Sequence, residues 1–141
     1  MIEKDNADQI LSKGKKHNCF SYLGELSQHE TRRLMNASDI FLNTSISEGM
    51  SGAILEAMAE SLPVIATCNS GNAALVDNNE NGFLVKLNDQ EDLIEKLLRL
   101  ISDKELRNNM GAKGRDKVEK YYTPEQEIVR LLKVYENVLI S

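Results

Sequence analysis

The run Val64-Ile65-Ala66-Thr67 constrains this chain more than any other feature. It follows Pro63, which stops a helix arriving from the preceding residues, and its first three side chains are all apolar. A strand with one wet face alternates apolar and polar residues. A strand apolar on both faces belongs inside a parallel sheet that is covered on both sides. Parallel neighbours need crossover connections, usually helical, so the rest of the chain must alternate strands with helices.

The remaining segments fit that requirement. Short apolar runs at 19–23, 39–43 and 83–85 read as further strands. Helical patterns cover 5–13, ahead of Gly14, and 31–36, which Ser27 caps with Glu30 completing a capping box. Helices follow at 52–60, with Ile54, Leu55 and Met58 as the buried stripe, and at 73–76 beyond a turn at 69–71. An amphipathic helix over 89–101 places Leu93, Leu97, Leu98 and Ile101 on one side, and another over 104–121 is interrupted by Gly111 and Gly114. Thr123 as cap, Pro124 at the first helical position and Gln126 start a last helix, 124–140, with Ile128, Leu131, Leu132, Tyr135 and Leu139 in register. The expected fold is α/β: a Rossmann-like three-layer domain with a short parallel sheet of about four strands and C-terminal helices.

Composition removes whole classes of function. Of 141 residues, 41% are hydrophobic and 28% charged, a globular balance that excludes collagen-like, coiled-coil-only and disordered chains. Twenty-two acidic against seventeen basic side chains give a net charge of −5, with no general attraction for nucleic acid or anionic membrane. No window approaches the ~18 uninterrupted apolar residues of a spanning helix. The opening Met1 to Asn6 has no apolar signal region, and Cys19 and Cys68 fit neither a CxxC motif nor a disulfide framework, so reduced thiols and a cytoplasmic location are expected. Asn36-Ala37-Ser38 and Asn43-Thr44-Ser45 match the glycosylation sequon by chance on this reading. His17 and His29 have no partners at metal-ligand spacing.

In an open α/β sheet, ligands bind beyond the carboxyl ends of the strands. That narrows the search to 24–25, 44–51, 68–72 and Lys86. The segment Ser45 to Glu56 carries the strongest signal: strand, small-residue loop, then helix, an arrangement that aims backbone N–H groups and a positive helix end at an anion. Gly49 and Gly52 allow close approach, and Met50 and Ser51 lie between them. The loop lacks the GKS or GKT ending of a P-loop and the GxGxxG fingerprint, so it reads either as an anion-binding loop or as an ordinary glycine-containing turn. Glu48 lies in this loop and Glu56 in the helix, with seven residues between them. The apolar neighbours of Glu56 suggest a carboxylate that needs hydrogen-bond partners, ligand hydroxyls among them; a solvated helix edge is the alternative. Ser70, Gly71 and Asn72 follow the central strand and face the same crevice, with side chains suited to sugar or phosphate oxygens and equally to a plain turn.

The stretch Glu48-Gly49 through Glu56-Ala57-Met58-Ala59, then Leu62-Pro63-Val64-Ile65-Ala66-Thr67, resembles the donor-binding half of retaining GT-B glycosyltransferases of family 4, or group 1. That family writes an E-x7-E motif, E-A-M-A and P-V-V-A-T in the same order. Leu23-Gly24, Ala37-Ser38-Asp39-Ile40-Phe41-Leu42 and Asn81-Gly82-Phe83-Leu84-Val85 add weaker support, so the similarity covers about residues 19 to 122.

The resemblance implies two Rossmann-like domains facing a cleft, of which 1–122 would be part of the nucleotide-sugar-binding one. Glu48 would lie near the donor sugar and leaving diphosphate as the catalytic residue, and Glu56 would hydrogen-bond the ribose. Gly49, Met50, Ser51, Gly52, Ser70, Gly71 and Asn72 would complete the substrate site. The donor would be a nucleoside diphosphate sugar, with no metal or other cofactor. Residues 123–141 would form a helix that packs on an N-terminal acceptor domain, or self-associates through 124–140 without one. Two departures stand out: no G-R…K segment precedes Cys19, and Ser70-Gly71-Asn72-Ala73-Ala74 replaces the family's G-G-x-x-E. The chain is also short for such an enzyme. An isolated 141-residue chain is therefore expected to bind donor without transferring sugar. A non-catalytic binding or partner subunit, and a sugar-nucleotide epimerase of the same architecture, are the alternatives.

Overall fold

A computed structural model of the chain describes residues 12–14 and 20–140, with the side chain of Ile140 left out. The chain divides into two units between Thr31 and Arg32. In the first, Ser27 and Glu30 form the expected capping box: the Ser27 N–H and hydroxyl both donate to Glu30 Oε2 (2.9 and 2.6 Å), and the Glu30 N–H donates back to Ser27 Oγ. They start helix α1, Gln28–Asn36. The expected strand at 19–23 does not form among its described residues. Phe20, Tyr22 and Leu23 are exposed there and join no ladder, so a short apolar run without a partner stays irregular. Most of the helix expected at 5–13 lies outside the described residues, as does Cys19, while 12–14 are helical.

The second unit runs β1 (Phe41–Asn43), α2 (Gly52–Ala59), β2 (Val64–Thr67), α3 (Ser70–Leu75), β3 (Gly82–Val85), α4 (Gln90–Ser102), α5 (Lys104–Tyr121) and α6 (Pro124–Ile140). The sheet has three strands among the described residues, one fewer than the sequence suggests, all parallel in the order β1-β2-β3. Phe41 pairs with Val64 and Val64 with Gly82, and the register closes with Thr67 beside Val85.

The double-sided apolar strand explains the layering. All four β2 residues are buried. Val64 and Ala66 face one core with Ile54, Ala57, Met58 and Leu75, whereas Ile65 faces a second with Phe83, Val85, Leu100 and Met110. Helices therefore cover both faces, as the period of two demands. Each fully buried Val, Ile or Leu of these cores contributes about 1.5–3 kcal/mol over exposure.

Helix α5 lies against α2 through its glycines. A Cβ on Gly111 would meet the Ser61 carbonyl oxygen at 1.9 Å, and one on Gly114 would touch Met58. The two glycines are points of close approach in an unbroken helix. In α4 the inward row is Leu93, Leu97 and Leu100, while Leu98 and Ile101 are exposed. The structure thus moves the buried stripe by part of a turn, because Leu100, at i+7 from Leu93, completes that row. Helix α3 also begins earlier than the sequence suggests, since the Asn69 side chain accepts from the Asn72 N–H and starts it before Ala73. Helix α6 starts as expected, with the Gln126 N–H donating to Thr123 Oγ1, and its apolar residues from Ile128 to Leu139 are exposed. No described helix is long and apolar enough to cross a membrane.

Candidate functional site

Because the strands are parallel, their carboxyl ends open on one edge of the sheet. From that edge the β1–α2 loop and the β2–α3 turn emerge side by side, and a glycine brings them into contact. A Cβ on Gly71, in the first turn of α3, would lie 1.6 Å from the Gly49 carbonyl oxygen and 2.5 Å from that of Glu48. Only a residue without a side chain lets the backbones approach this closely. Gly49 and Gly52 differ: a Cβ on either would point into open space.

Polar side chains tie the two segments together. Asn43, the buried last residue of β1, accepts from the Ser45 N–H at 2.9 Å through Oδ1, and its Nδ2 donates to Ser51 Oγ at 3.4 Å. Thr67, at the end of β2, donates its hydroxyl to the Asn43 carbonyl. Asn69 Nδ2 donates to the Ser45 carbonyl at 3.2 Å. The Ser45 hydroxyl then donates to Glu48 Oε1 at 2.5 Å.

That leaves Glu48 half-served. Its Oε2 is buried without a hydrogen-bond partner, an unusual state for a carboxylate oxygen. The Ser45 hydroxyl first, then the Ser51 hydroxyl, hold the carboxyl below its ordinary range; burial opposes them, and the Asn43 amide adds a smaller downward effect. Glu48 is therefore an anion whose Oε1 is held by Ser45 and whose buried Oε2 lies without a hydrogen-bond partner.

Beside it, α2 presents a bare amino end. Ser51 is the cap residue but makes no side-chain capping bond, and the first turn carries no acid. Elsewhere the chain compensates such ends: Asp89 caps α4 ahead of Glu91 and Asp92, and Asp103 caps α5 ahead of Glu105. The free N–H groups and positive end of α2 thus suit an anionic ligand.

The remaining sequence candidates fall as follows. Met50 is 59% exposed, at the mouth of the loop, while Ser51 is buried below it. Ser70 is exposed. Asn72 is wholly buried; its Nδ2 donates to the Thr67 carbonyl at 2.9 Å, and its Oδ1 has no partner. Glu56 is exposed on α2, opposite the buried Ile54, Ala57 and Met58, so its apolar sequence neighbours do not enclose it. Of the two readings the sequence left open, residue 56 thus lies at the solvated edge of the helix, where no apolar packing encloses it. Cys68 is exposed with a free thiol. Asn43 and Asn69 organise the site around Ser45 although no motif marks them; an Asn closing a strand ahead of a small-residue loop was the available signal. Among the described residues, no three His, Cys, Asp or Glu side chains cluster as metal ligands would.

Comparison with known proteins matches this frame. The family model for glycosyl transferases group 1 matches residues 3–117. The chain is 33% identical over 114 residues to the UDP-Gal:alpha-D-GlcNAc-diphosphoundecaprenol alpha-1,3-galactosyltransferase of Escherichia coli, covering 81% of this chain and 29% of that enzyme. It is 29% identical over 118 residues to the N-acetyl-alpha-D-glucosaminyl L-malate synthase of Bacillus anthracis, covering 84% and 30%. The chain thus spans under a third of the length of these two relatives. Among solved structures, the C-terminal domain of a glycosyl transferase group 1 family protein from Francisella tularensis superposes with a TM-score of 0.72 at 27% identity, over 86% of this chain and 65% of that one. Anabaena Alr3699/HepE, solved in complex with UDP-glucose, shares the fold with a TM-score of 0.83 at 23% identity, over 95% and 38%. The fold is that of the C-terminal domain of a GT-B glycosyltransferase. By its family model and its relatives, the chain belongs to the glycosyl transferases group 1 family.

Proposed function

We propose that the second unit of this chain binds a nucleoside diphosphate sugar at the junction of the β1–α2 loop and the β2–α3 turn, as the donor half of a retaining hexosyl-type glycosyltransferase. The observation that carries the reading is the buried, unpartnered Glu48 Oε2 beside an uncompensated helix amino end. An anion and a hydroxyl-rich group next to it would satisfy both at once. In this reading the diphosphate meets the N–H groups at Gly49 to Gly52, and a hydroxyl of the donor sugar donates to Glu48 Oε2. Exposed Glu56 is free to accept from the ribose hydroxyls. Met50, Ser70 and Gly71 border the ligand, and Asn72 supports the turn from beneath.

Transfer with retention breaks the bond between the anomeric carbon and the diphosphate oxygen and forms one to the acceptor hydroxyl oxygen on the same face. The acceptor proton passes to the departing diphosphate, and Glu48 stabilises the sugar as charge develops on it. No metal takes part in this scheme, in which helix N–H groups hydrogen-bond the diphosphate. The reaction would run in the cytoplasm, where the exposed Cys68 thiol stays reduced. Residues 1–122 serve the donor and 123–141 the contact with an acceptor-binding domain.

The exposed apolar face of α6 supports a second element of the proposal. Ile128, Leu131, Leu132 and Tyr135 are each half or more exposed, a continuous surface of the kind that marks an interaction site. An acceptor domain would cover it, and the 141-residue chain alone would self-associate through 124–140 and transfer no sugar. As a non-catalytic partner subunit, the chain would use the same face. Calorimetric titration with UDP-glucose tests the donor reading: the chain binds, Glu48→Gln weakens binding, and no binding at millimolar ligand overturns it.

A further inference from the structure

Outside the groups just assigned, one residue is held more tightly than a loop position needs. Ser45 is fixed at three atoms: its N–H by Asn43 Oδ1, its carbonyl by Asn69 Nδ2, and its hydroxyl on Glu48 Oε1. The two clamps come from different strands, Asn43 closing β1 and Asn69 following β2, and they are 26 residues apart in the chain. Each clamp is itself anchored. Asn43 also donates to Ser51 at the start of α2, and Asn69 accepts from the Asn72 N–H as the cap of α3.

We infer that Ser45 is the positioning residue for Glu48, with Asn43 and Asn69 as the clamp that aims its hydroxyl. The inference rests on the donor-site reading for its purpose and on these hydrogen bonds for its geometry. Fixing both the N–H and the carbonyl of one residue leaves its side chain a narrow range of directions. The hydroxyl then takes Oε1, which leaves the buried Oε2 as the carboxylate oxygen without a hydrogen-bond partner. Binding therefore loses little ordering entropy, because the loop is already set. A hydroxyl at 45 is essential on this account, whereas a methyl group in its place leaves Glu48 free to rotate and both its oxygens to be served by water.

The test compares wild type with Ser45→Ala, Ser45→Thr and Asn69→Ala in the full 141-residue chain. The Glu48 side-chain carboxyl carbon is followed by NMR against pH without ligand, and UDP-glucose is titrated separately. Ser45→Ala is expected to raise the Glu48 titration midpoint and to weaken UDP-glucose binding about tenfold, the loss of one charge-assisted hydrogen bond. Ser45→Thr is expected to restore both, and Asn69→Ala to shift both in the same direction by less. A purely structural role would lower thermal stability and leave the Glu48 midpoint in place, which overturns the inference. If the wild type binds no UDP-glucose while the midpoint still moves in Ser45→Ala and returns in Ser45→Thr, the clamp stands and the donor reading falls. If UDP-glucose binds equally well to wild type and Ser45→Ala with the midpoint unmoved, the clamp falls and the donor reading stands.

Discussion

Gly71 rests on the backbone of Gly49, so closely that a methyl group on the first would overlap the carbonyl oxygen of the second at 1.6 Å. This contact joins the loop carrying Glu48 to the turn after the central strand, and it gives the site its shape. Gly71→Ala must push the two segments apart. The expected cost is about 1–3 kcal/mol, read from the urea midpoint, together with loss of UDP-glucose binding. Gly52→Ala is the counterpart: open space surrounds that position, so stability holds or rises by up to ~1 kcal/mol with the gain in helix propensity.

The glycines of α5 separate in the same way. Gly111→Ala brings a methyl within 1.9 Å of the Ser61 carbonyl, a backbone atom of a residue already at φ 61°, and is expected to cost about 1–3 kcal/mol. Gly114→Ala meets Met58 at ordinary van der Waals distance, 3.4 Å at the nearest, so it is expected to be neutral or to stabilise by up to ~1 kcal/mol. Thermal melts of the two variants beside wild type check the contrast; equal destabilisation by both contradicts it.

Acid should weaken the fold through three carboxylates whose ionised forms the folded chain favours. The Ser27 hydroxyl and N–H hold Glu30 below its ordinary range, the Ser45 and Ser51 hydroxyls hold Glu48, and its own backbone N–H and the Thr123 hydroxyl at the start of α6 hold Glu125. A depressed folded-state pKa adds stability that is complete above the unfolded value and fades as pH falls through the folded one. Stability should accordingly decline once pH drops below the ordinary carboxylate range, and Glu48→Gln should flatten that decline. Urea midpoints measured from neutral pH to about pH 3 decide it, and parallel curves for the two proteins would count against the Glu48 contribution.

The exposed row on α6 predicts concentration-dependent association of the chain. Leu132→Glu places a charge in the middle of that row and should return the protein to monomer while leaving the monomer folded, since Leu132 is exposed. Sedimentation velocity over a wide concentration range is the measurement. A wild-type chain that stays monomeric throughout contradicts self-association through this helix.

How much of this was legible in the sequence depended on whether a residue's environment is local or distant. The double-sided strand at 64–67, the capping box of Ser27 and Glu30, and the Thr123-Pro124 helix start are local patterns, and the structure forms each. The strand expected at 19–23 had the right composition, but a strand exists only with a partner, and Phe20, Tyr22 and Leu23 find none in a ladder. Leu98 and Leu100 of α4 are equally apolar, and only packing against Phe83 and Met110 selects Leu100. In the site, Glu48 and its glycines were visible as a spaced motif. Asn43 and Asn69 were not, because their role comes from hydrogen bonds that span the sheet edge to a common residue. Glu56 was read from apolar sequence neighbours, which on a helix point in other directions than residue 56 itself.

The central claim is that ligand binds where the β1–α2 loop meets the β2–α3 turn. The direct test is to titrate the isotopically labelled chain with UDP-glucose and follow the backbone amides by NMR. The account predicts shifts confined to residues 48–56 and 69–72, saturating at millimolar ligand or below and largely lost in Glu48→Gln. Silence of those amides at millimolar UDP-glucose, or shifts centred on the opposite edge of the sheet around Asp39, Glu60 and Arg107, would contradict it.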